Sequence, residues 1–400
     1  MLITCMLVSL PFTLNNTVAG NHTDAIDTTI EEIISTINES FIRNHIATIQ
    51  NYGPHPTGSV ACNAVQQYLV DTLESDGLEV QVHPWSRQLY AGNNIIATLP
   101  GTDSSLAPIG VSAHYDSAPG SPGADDDGSG VAAVLAAAHT LRSYPFNRTV
   151  IFLLFSGEEQ GTLGSLAYAG DLYHSEETLA GIINLDGIGH TETGSGGKKV
   201  IVYEEPTVAW LADSMERIAS LYYQDMHMEP KRLPNTGYSD HNSFLSYGIG
   251  AIQVEEYEYN DKFHTSNDTL DFVNITYVTN IARLTSGTLA YVASIDVPGP
   301  QVTITTPRRD MLYLFNVKIF PLNGGMVLAL GPIDIIANTS IETVRVVFYL
   351  DGQEMMVDEE APFAWTCRQP VWWDHTVVVE AQDDDGNSGI AHIDLGWSLY

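Results

Sequence analysis

Over residues 24–51 the apolar positions Ile26, Ile30, Ile33, Ile34, Ile37 and Phe41 recur at the three-and-four spacing of one helix face. Pro54, Pro56 and Gly58 then stop the pattern, and a second helix is predicted over 61–75. Short β-type runs follow at 78–83, 94–99, 109–113, 149–155 and 182–185, interleaved with helical stretches such as 130–142 and 210–222. Strands alternating with helices predict an α/β fold, a three-layer αβα sandwich around a mostly parallel mixed central sheet. The run Val-Ile-Phe-Leu-Leu-Phe at 150–155 has no polar position, as expected of a central strand covered on both faces.

The pattern changes after Pro298-Gly299-Pro300. Runs at 302–305, 344–350 and 377–381 are separated by turn residues at Asp351-Gly352 and 383–386, with no helical stretch between them. About a hundred residues of this kind predict an all-β sandwich. The segments "VVFYLDGQ", "APFAWTC" and "TVVVEAQDDDGN" resemble bacterial immunoglobulin-like modules of secreted enzymes. The expected division is a leader at 1–20, a catalytic domain at 21–297 and an immunoglobulin-like β-sandwich at 300–400.

Composition narrows the partners. The net charge of -33 comes from 49 Asp+Glu against only 16 Lys+Arg, so the surface lacks the basic clusters that would neutralise phosphate. Nucleic-acid partners are not expected. Residues 2–14 are mostly apolar and uncharged, and Thr17, Val18 and Ala19 supply small side chains after them, which reads as a signal peptide and a secreted or extracytoplasmic protein. Seven Asn-x-Ser/Thr sequons, at Asn15, Asn21, Asn38, Asn147, Asn267, Asn274 and Asn338, suit that setting. No later apolar stretch reaches the roughly 18 residues of a membrane span. Three cysteines, Cys5, Cys62 and Cys367, form neither a disulfide framework nor a zinc-finger pattern.

The chemistry lies at the carboxyl ends of the predicted strands, where open α/β sheets place their sites. Gly110-Val-Ser-Ala-His114-Tyr-Asp116 is followed by Asp125-Asp126-Asp127-Gly-Ser-Gly; Phe155-Ser-Gly precedes Glu158-Glu159; and Ile183-Asn-Leu runs into Asp186. His264 adds a further imidazole. Imidazoles and carboxylates without thiolate suit zinc, and five such groups with one bridging carboxylate can hold two ions about 3.5–4 Å apart. Adjacent carboxylates diverge at a strand end, so one of Glu158 and Glu159 can bind metal while the other faces the water between the ions.

The segments "GVSAHYDS", "GADDDGSGVAAVL", "FSGEEQGTLGS", "INLDGIGH" and "KFHTSNDTLD" resemble the motifs of the M28 family of zinc peptidases. The resemblance implies two Zn2+ per chain: His114 and Asp186 on one, Glu159 and His264 on the other, and Asp126 bridging. It also implies Glu158 as general base, Asp116 as the carboxylate orienting His114, and a cis peptide between Asp126 and Asp127. Tyr238 falls in a segment placed at the rim in the family, where it would support the oxyanion, while Phe263 stands where several relatives have a tyrosine. Glu255 and Glu256 fall where aminopeptidase relatives carry acids near the substrate amine. The activity so implied is removal of the first residue of peptide substrates by a metal-activated water.

Three other readings stay open. A carboxypeptidase or dipeptidase on this scaffold would need a cationic clamp, for which Lys231, Arg232 and Lys262 are the candidates. A glutaminyl cyclase uses one zinc. A non-catalytic binding ectodomain would have lost ligands, whereas all five ligand positions and the base are present here. The C-terminal module is expected to mediate contact with a surface or polymer.

Overall fold

A computed structural model describes residues 17–295, 302–322, 325–340, 342–368, 375–384 and 388–396. The leader expected at 1–20 lies largely outside the described residues. At its centre is an eight-stranded mixed sheet: β1 (Glu79–Arg87), β2 (Tyr90–Leu99), β3 (Ile109–His114), β4 (Val150–Phe155), β5 (Gly181–Leu185), β6 (Lys199–Glu204), β7 (Glu229–Pro234) and β8 (Ala251–Glu256). The spatial order is β1-β2-β4-β3-β5-β8-β6-β7. The middle strands β4, β3, β5 and β8 run parallel, so their carboxyl ends open on one side of the sheet. Antiparallel β2 and β6 flank them.

Strand β4 demonstrates why its sequence is apolar throughout. Phe152 and Leu154 enter the core formed with the helices Glu39–Gln50, Gly128–Leu141 and Ile275–Ser294. Ile151, Leu153 and Phe155 face the opposite way and pack with Tyr168, Leu172 and Phe244 from the helices Leu163–Ser175 and His241–Ser246. With successive side chains on opposite faces, a strand buried on both must be hydrophobic at every position.

One predicted element differs in extent. The helix expected over 24–51 is two helices, Thr17–Thr36 and Glu39–Gln50, because Asn38 leaves helical geometry and its side chain accepts a hydrogen bond from the Phe41 N–H. Asparagine is among the strongest N-caps, so a continuous apolar face can cross a helix boundary. Among the described residues, β6, β7, β8 and the twenty-residue helix Ile275–Ser294 have no counterpart in the elements read from the sequence.

Beyond residue 302 the described chain is β-structure. Seven strands form one sheet, running from the edge strand Val317–Pro321 to Gln353–Asp358, and three form another, with Ile333–Thr339 at its centre. Val346, Phe348, Val377, Val379 and Ile393 build a hydrophobic core separate from that of the central sheet.

Candidate active site

Each functional side chain is set by the end of a parallel strand or the loop after it. His114 is the last residue of β3. Asp127 caps the helix Gly128–Leu141, its Oδ1 accepting from Gly130 N at 3.0 Å, while Oδ2 accepts from His114 N at 3.0 Å. One capping carboxylate thereby ties the helix start to the end of β3 and leaves the preceding Asp126 facing the imidazoles. The Asp126-Asp127 peptide is cis, as the family resemblance implies. After β4 the chain turns at Gly157, whose φ of +84° and whose distance of 2.5 Å from a notional Cβ to the Trp85 ring admit only glycine. That turn delivers Glu158 and Glu159. Asp186 follows β5 directly, and His264 occupies a loop with a left-handed backbone at φ +58°.

These side chains converge. His114 Nε2 lies 3.1 Å from Asp126 Oδ1 and 3.6 Å from Asp186 Oδ1. His264 Nε2 lies 3.1 Å from Asp126 Oδ2 and 3.3 Å from Glu159 Oε2. Two ligand groups result, His114-Asp126-Asp186 and Asp126-Glu159-His264, which share Asp126 through its two different oxygens. His114 Nδ1 faces the Asp116 carbonyl at 2.9 Å, and because a carbonyl only accepts, the proton sits on Nδ1. Nε2 is buried without a hydrogen-bond partner, as is Glu159 Oε1. Burial lowers the pKa of the His114 ring, but Asp116, Asp126 and Asp186 outweigh it and hold it well above its ordinary value. Orphaned buried atoms in a set of imidazoles and carboxylates fit a divalent cation such as zinc.

The local electrostatics are those of crowded acids with little water. Burial pushes Glu158 well above the usual carboxylate range, with Asp186, Asp240 and Asp116 adding to the rise against the opposing pull of His114. Burial raises Glu159 to about 7, helped by Asp126. Asp126 is the exception: burial raises it, but His114 and His264 outweigh that and hold it below its ordinary value. The neighbouring Asp126 carboxylate lifts His264 to about 9.

The remaining sequence-derived residues fall in three places. Asp116 meets His114 through its main-chain carbonyl, and its carboxylate stands 3.7 Å from Nδ1. That carboxylate instead accepts from Thr57 Oγ1 at 2.8 Å and from the Glu158 N–H at 3.3 Å, so it holds the glutamate loop in place. Tyr238 lines the cavity with Gln253, Glu255, Phe263 and the ligand groups, but is 74% exposed. Glu256, expected near the substrate amine, is corrected by the geometry: it is buried, its Oε2 accepting from His190 N at 2.5 Å beside Asp125. Strand parity is the reason, since adjacent residues of β8 point to opposite faces and Glu255 takes the cavity side.

The cationic candidates are engaged elsewhere. Arg232 is paired with Glu204, Asp213 and Glu216, Lys231 with Glu229, and Lys262 with Asp261. No Lys or Arg lines the described cavity, whereas five carboxylates do.

Sequence reasoning gave no role to Asp268, although it lay within a quoted motif. Its carboxylate accepts from the main-chain N–H of Asp125 at 2.7 Å and of Asp126 at 3.2 Å. It therefore joins the loop bearing His264 to the loop bearing Asp126. Asn260 Nδ2 and Gly189 N donate to Asp125 from the far side, at 2.8 and 2.7 Å.

A vacuolar membrane protease of Candida tropicalis is 26% identical over 275 residues, covering 64% of this chain and 29% of that protein. Leucine aminopeptidase 1 of Sclerotinia sclerotiorum is 32% identical over 226 residues, covering 51% of this chain and 56% of that protein. The chain thus spans well under two thirds of either. A zinc aminopeptidase from Bacillus subtilis shares the fold at a TM-score of 0.58 and 16% identity, over 65% of this chain and 96% of its own. The vacuolar membrane relatives overturn the expectation of a secreted or extracytoplasmic protein, since their name places them at an internal membrane. No helix of the described residues is long and apolar enough to cross a membrane. Residues 94–289, which contain all five ligand positions, match the model of peptidase family M28, and this part of the chain belongs to that family of zinc metallopeptidases.

Proposed function

We propose that this chain is a di-zinc aminopeptidase, and the observation that carries the reading is the placement of Asp126, one oxygen 3.1 Å from each of two imidazoles. His114 and Asp186 would hold one zinc, Glu159 and His264 the other, with Asp126 shared. Zinc bound there would supply Lewis acidity, lowering the pKa of a water to about 7 and polarising the scissile carbonyl.

The chain's own residues do the rest. Glu158, lining the cavity beside both ligand groups, takes the proton of the attacking water and returns it to the departing amine. Its main chain is tethered to Asp116, which fixes the direction of approach. Tyr238, on the same cavity wall, is the group assigned to the developing oxyanion. Glu255 faces the cavity in an acidic lining that attracts an α-ammonium and repels a carboxylate, which favours aminopeptidase over carboxypeptidase action. We further read the C-terminal sheets as an immunoglobulin-like module at 300–400 beside a catalytic unit at 21–297, and the setting as the vacuolar membrane of the relatives.

The test uses the full chain with zinc on three substrates: a leucine-chromophore, its N-acetylated form, and an N-blocked peptide with a free carboxyl end. Hydrolysis of the first alone, lost with chelator and restored by zinc, is expected. Release of the carboxyl-terminal residue from the blocked peptide at a comparable rate would refute the aminopeptidase reading.

Asp268 supplies a further expectation. Substitution Asp268→Ala should weaken zinc binding by about 10- to 100-fold, the usual effect of removing a group one bond behind the ligands. Competition with a chromophoric chelator measures this directly, and wild-type affinity in the variant would deny Asp268 that part.

A further inference from the structure

We infer that the C-terminal sheets are a working part of the substrate cavity, because Arg309 and Asp310 pin the rear of the segment 238–247 whose front lines it. The inference deepens the aminopeptidase reading and rests on it for its kinetic readout alone.

The segment has two ends. At the front, Tyr238 lines the cavity, Ser239 Oγ accepts from Asn184 Nδ2 at 2.9 Å, and Asp240 Oδ1 accepts from Ser165 Oγ at 2.5 Å. The helix His241–Ser246 then runs away from the cavity, one and a half turns and about 9 Å long, short enough to move as a rigid piece. At its rear the Ser246 carbonyl accepts from Arg309 Nη1 at 2.5 Å.

Arg309 belongs to the β-region and is only 4% exposed. Its Nη2 donates to the His392 carbonyl at 2.5 Å, and its main-chain N–H donates to Tyr173 Oη at 2.8 Å. The buried guanidinium thus joins the end of the short helix to a strand of the large C-terminal sheet, while the Arg309 main chain meets the helix Leu163–Ser175. A cation at a helix carboxyl end satisfies the carbonyls left over there. Asp310, also buried, accepts from Tyr247 Oη at 2.9 Å and from Gly325 N at 2.7 Å. Gly325 lets the loop close in: a Cβ there would stand 2.2 Å from the Ser246 carbonyl oxygen. Two of these hydrogen bonds hold the end of the six-residue helix directly, three more anchor Arg309 and Asp310 themselves, and nothing resembling them is required merely to tether a module through a flexible linker.

The consequence is positional. Arg309 and Asp310 touch no cavity residue, so they are positioning residues that act through the helix on Tyr238. Arg309→Met keeps most of the side-chain volume and removes the donors; Arg309→Lys keeps a cation. The readouts are hydrogen exchange over 237–248, zinc content, KM and kcat on the leucine-chromophore. For Arg309→Met we expect faster exchange in that segment, unchanged zinc, and kcat lowered about tenfold, the size of one lost charge-assisted hydrogen bond, with KM much less affected, because Tyr238 acts on the oxyanion of the transition state. Arg309→Lys should recover part of both effects. Wild-type exchange and kcat in a folded Arg309→Met chain would overturn the inference. If that variant does not fold, Tyr247→Phe removes only the phenol donor to Asp310, and it should still speed exchange over 237–248; unchanged exchange there would likewise overturn it. A wild-type chain inactive on free-amine substrates would remove the proposed activity, while the exchange measurement would still decide the clamp.

Discussion

The chain carrying Glu158→Gln is expected to bind zinc as the wild type does and to lose about 10²- to 10⁴-fold in kcat, the usual contribution of a positioned general base. Glutamine keeps the shape of the side chain and its main-chain tether to Asp116, so the ligand groups should stay in place. What it removes is a carboxylate able to accept the water proton and then to donate it to an amine. Burial, reinforced by the negative charge of Asp186 and Asp240, raises the proton affinity of Glu158 in the metal-free chain, and such a group holds a proton more readily than an exposed glutamate. The decisive pair of measurements is elemental zinc content and kcat on the same preparation. A fully metallated variant with wild-type turnover would dismiss Glu158 as the base and turn attention to Glu255, the other cavity carboxylate outside the two ligand groups.

Much of this is legible in the sequence. The apolar run at 150–155 announces a doubly covered strand, and β4 is flanked by β2 and β3 with helices on both faces. His114, Glu159 and Asp186 stand at or just beyond the end of an apolar run, whereas Asp126 and His264 lie in loops and join them in the sequence only through the resemblance to the family motifs. What resisted reading depends on parity, polarity or distance. Glu255 and Glu256 exchange roles with a one-residue change in strand phase, which an acidic pair does not reveal. The helix Ile275–Ser294 carries Thr279, Thr285, Ser286 and Thr288 in buried positions, so its inner face does not look apolar in sequence. Thr279 and Thr288 return their hydroxyls to the carbonyls four residues earlier, which is how such a face can be buried. Asp116 was expected to orient His114 by its carboxylate, but main-chain carbonyls have no sequence signature. The clamp at Arg309 and Asp310 joins positions more than sixty residues from the helix it holds, and no local pattern marks it.

Removing the shared carboxylate with Asp126→Ala should have the widest effect of any single change, since it deprives both ligand groups at once. Zinc affinity is expected to fall by more than the roughly 10- to 100-fold seen when groups behind the ligands are lost, and turnover should disappear with the metal. A second signature separates this from general damage. In the metal-free wild type the Asp126 carboxylate raises His264 to about 9, above the 6.5 of an unperturbed imidazole. Below pH 9 that ring carries a proton which a cation must displace, so wild-type zinc affinity should climb with pH until it flattens near 9. Without Asp126 the first cause of the shift is gone, and the climb should end closer to 6.5. Zinc titrations across that range, with nuclear magnetic resonance following the His264 ring in the metal-free protein, read both effects. Unchanged zinc affinity together with a His264 titration still near 9 would show that Asp126 neither bridges the two groups nor sets the charge of the imidazole beside it.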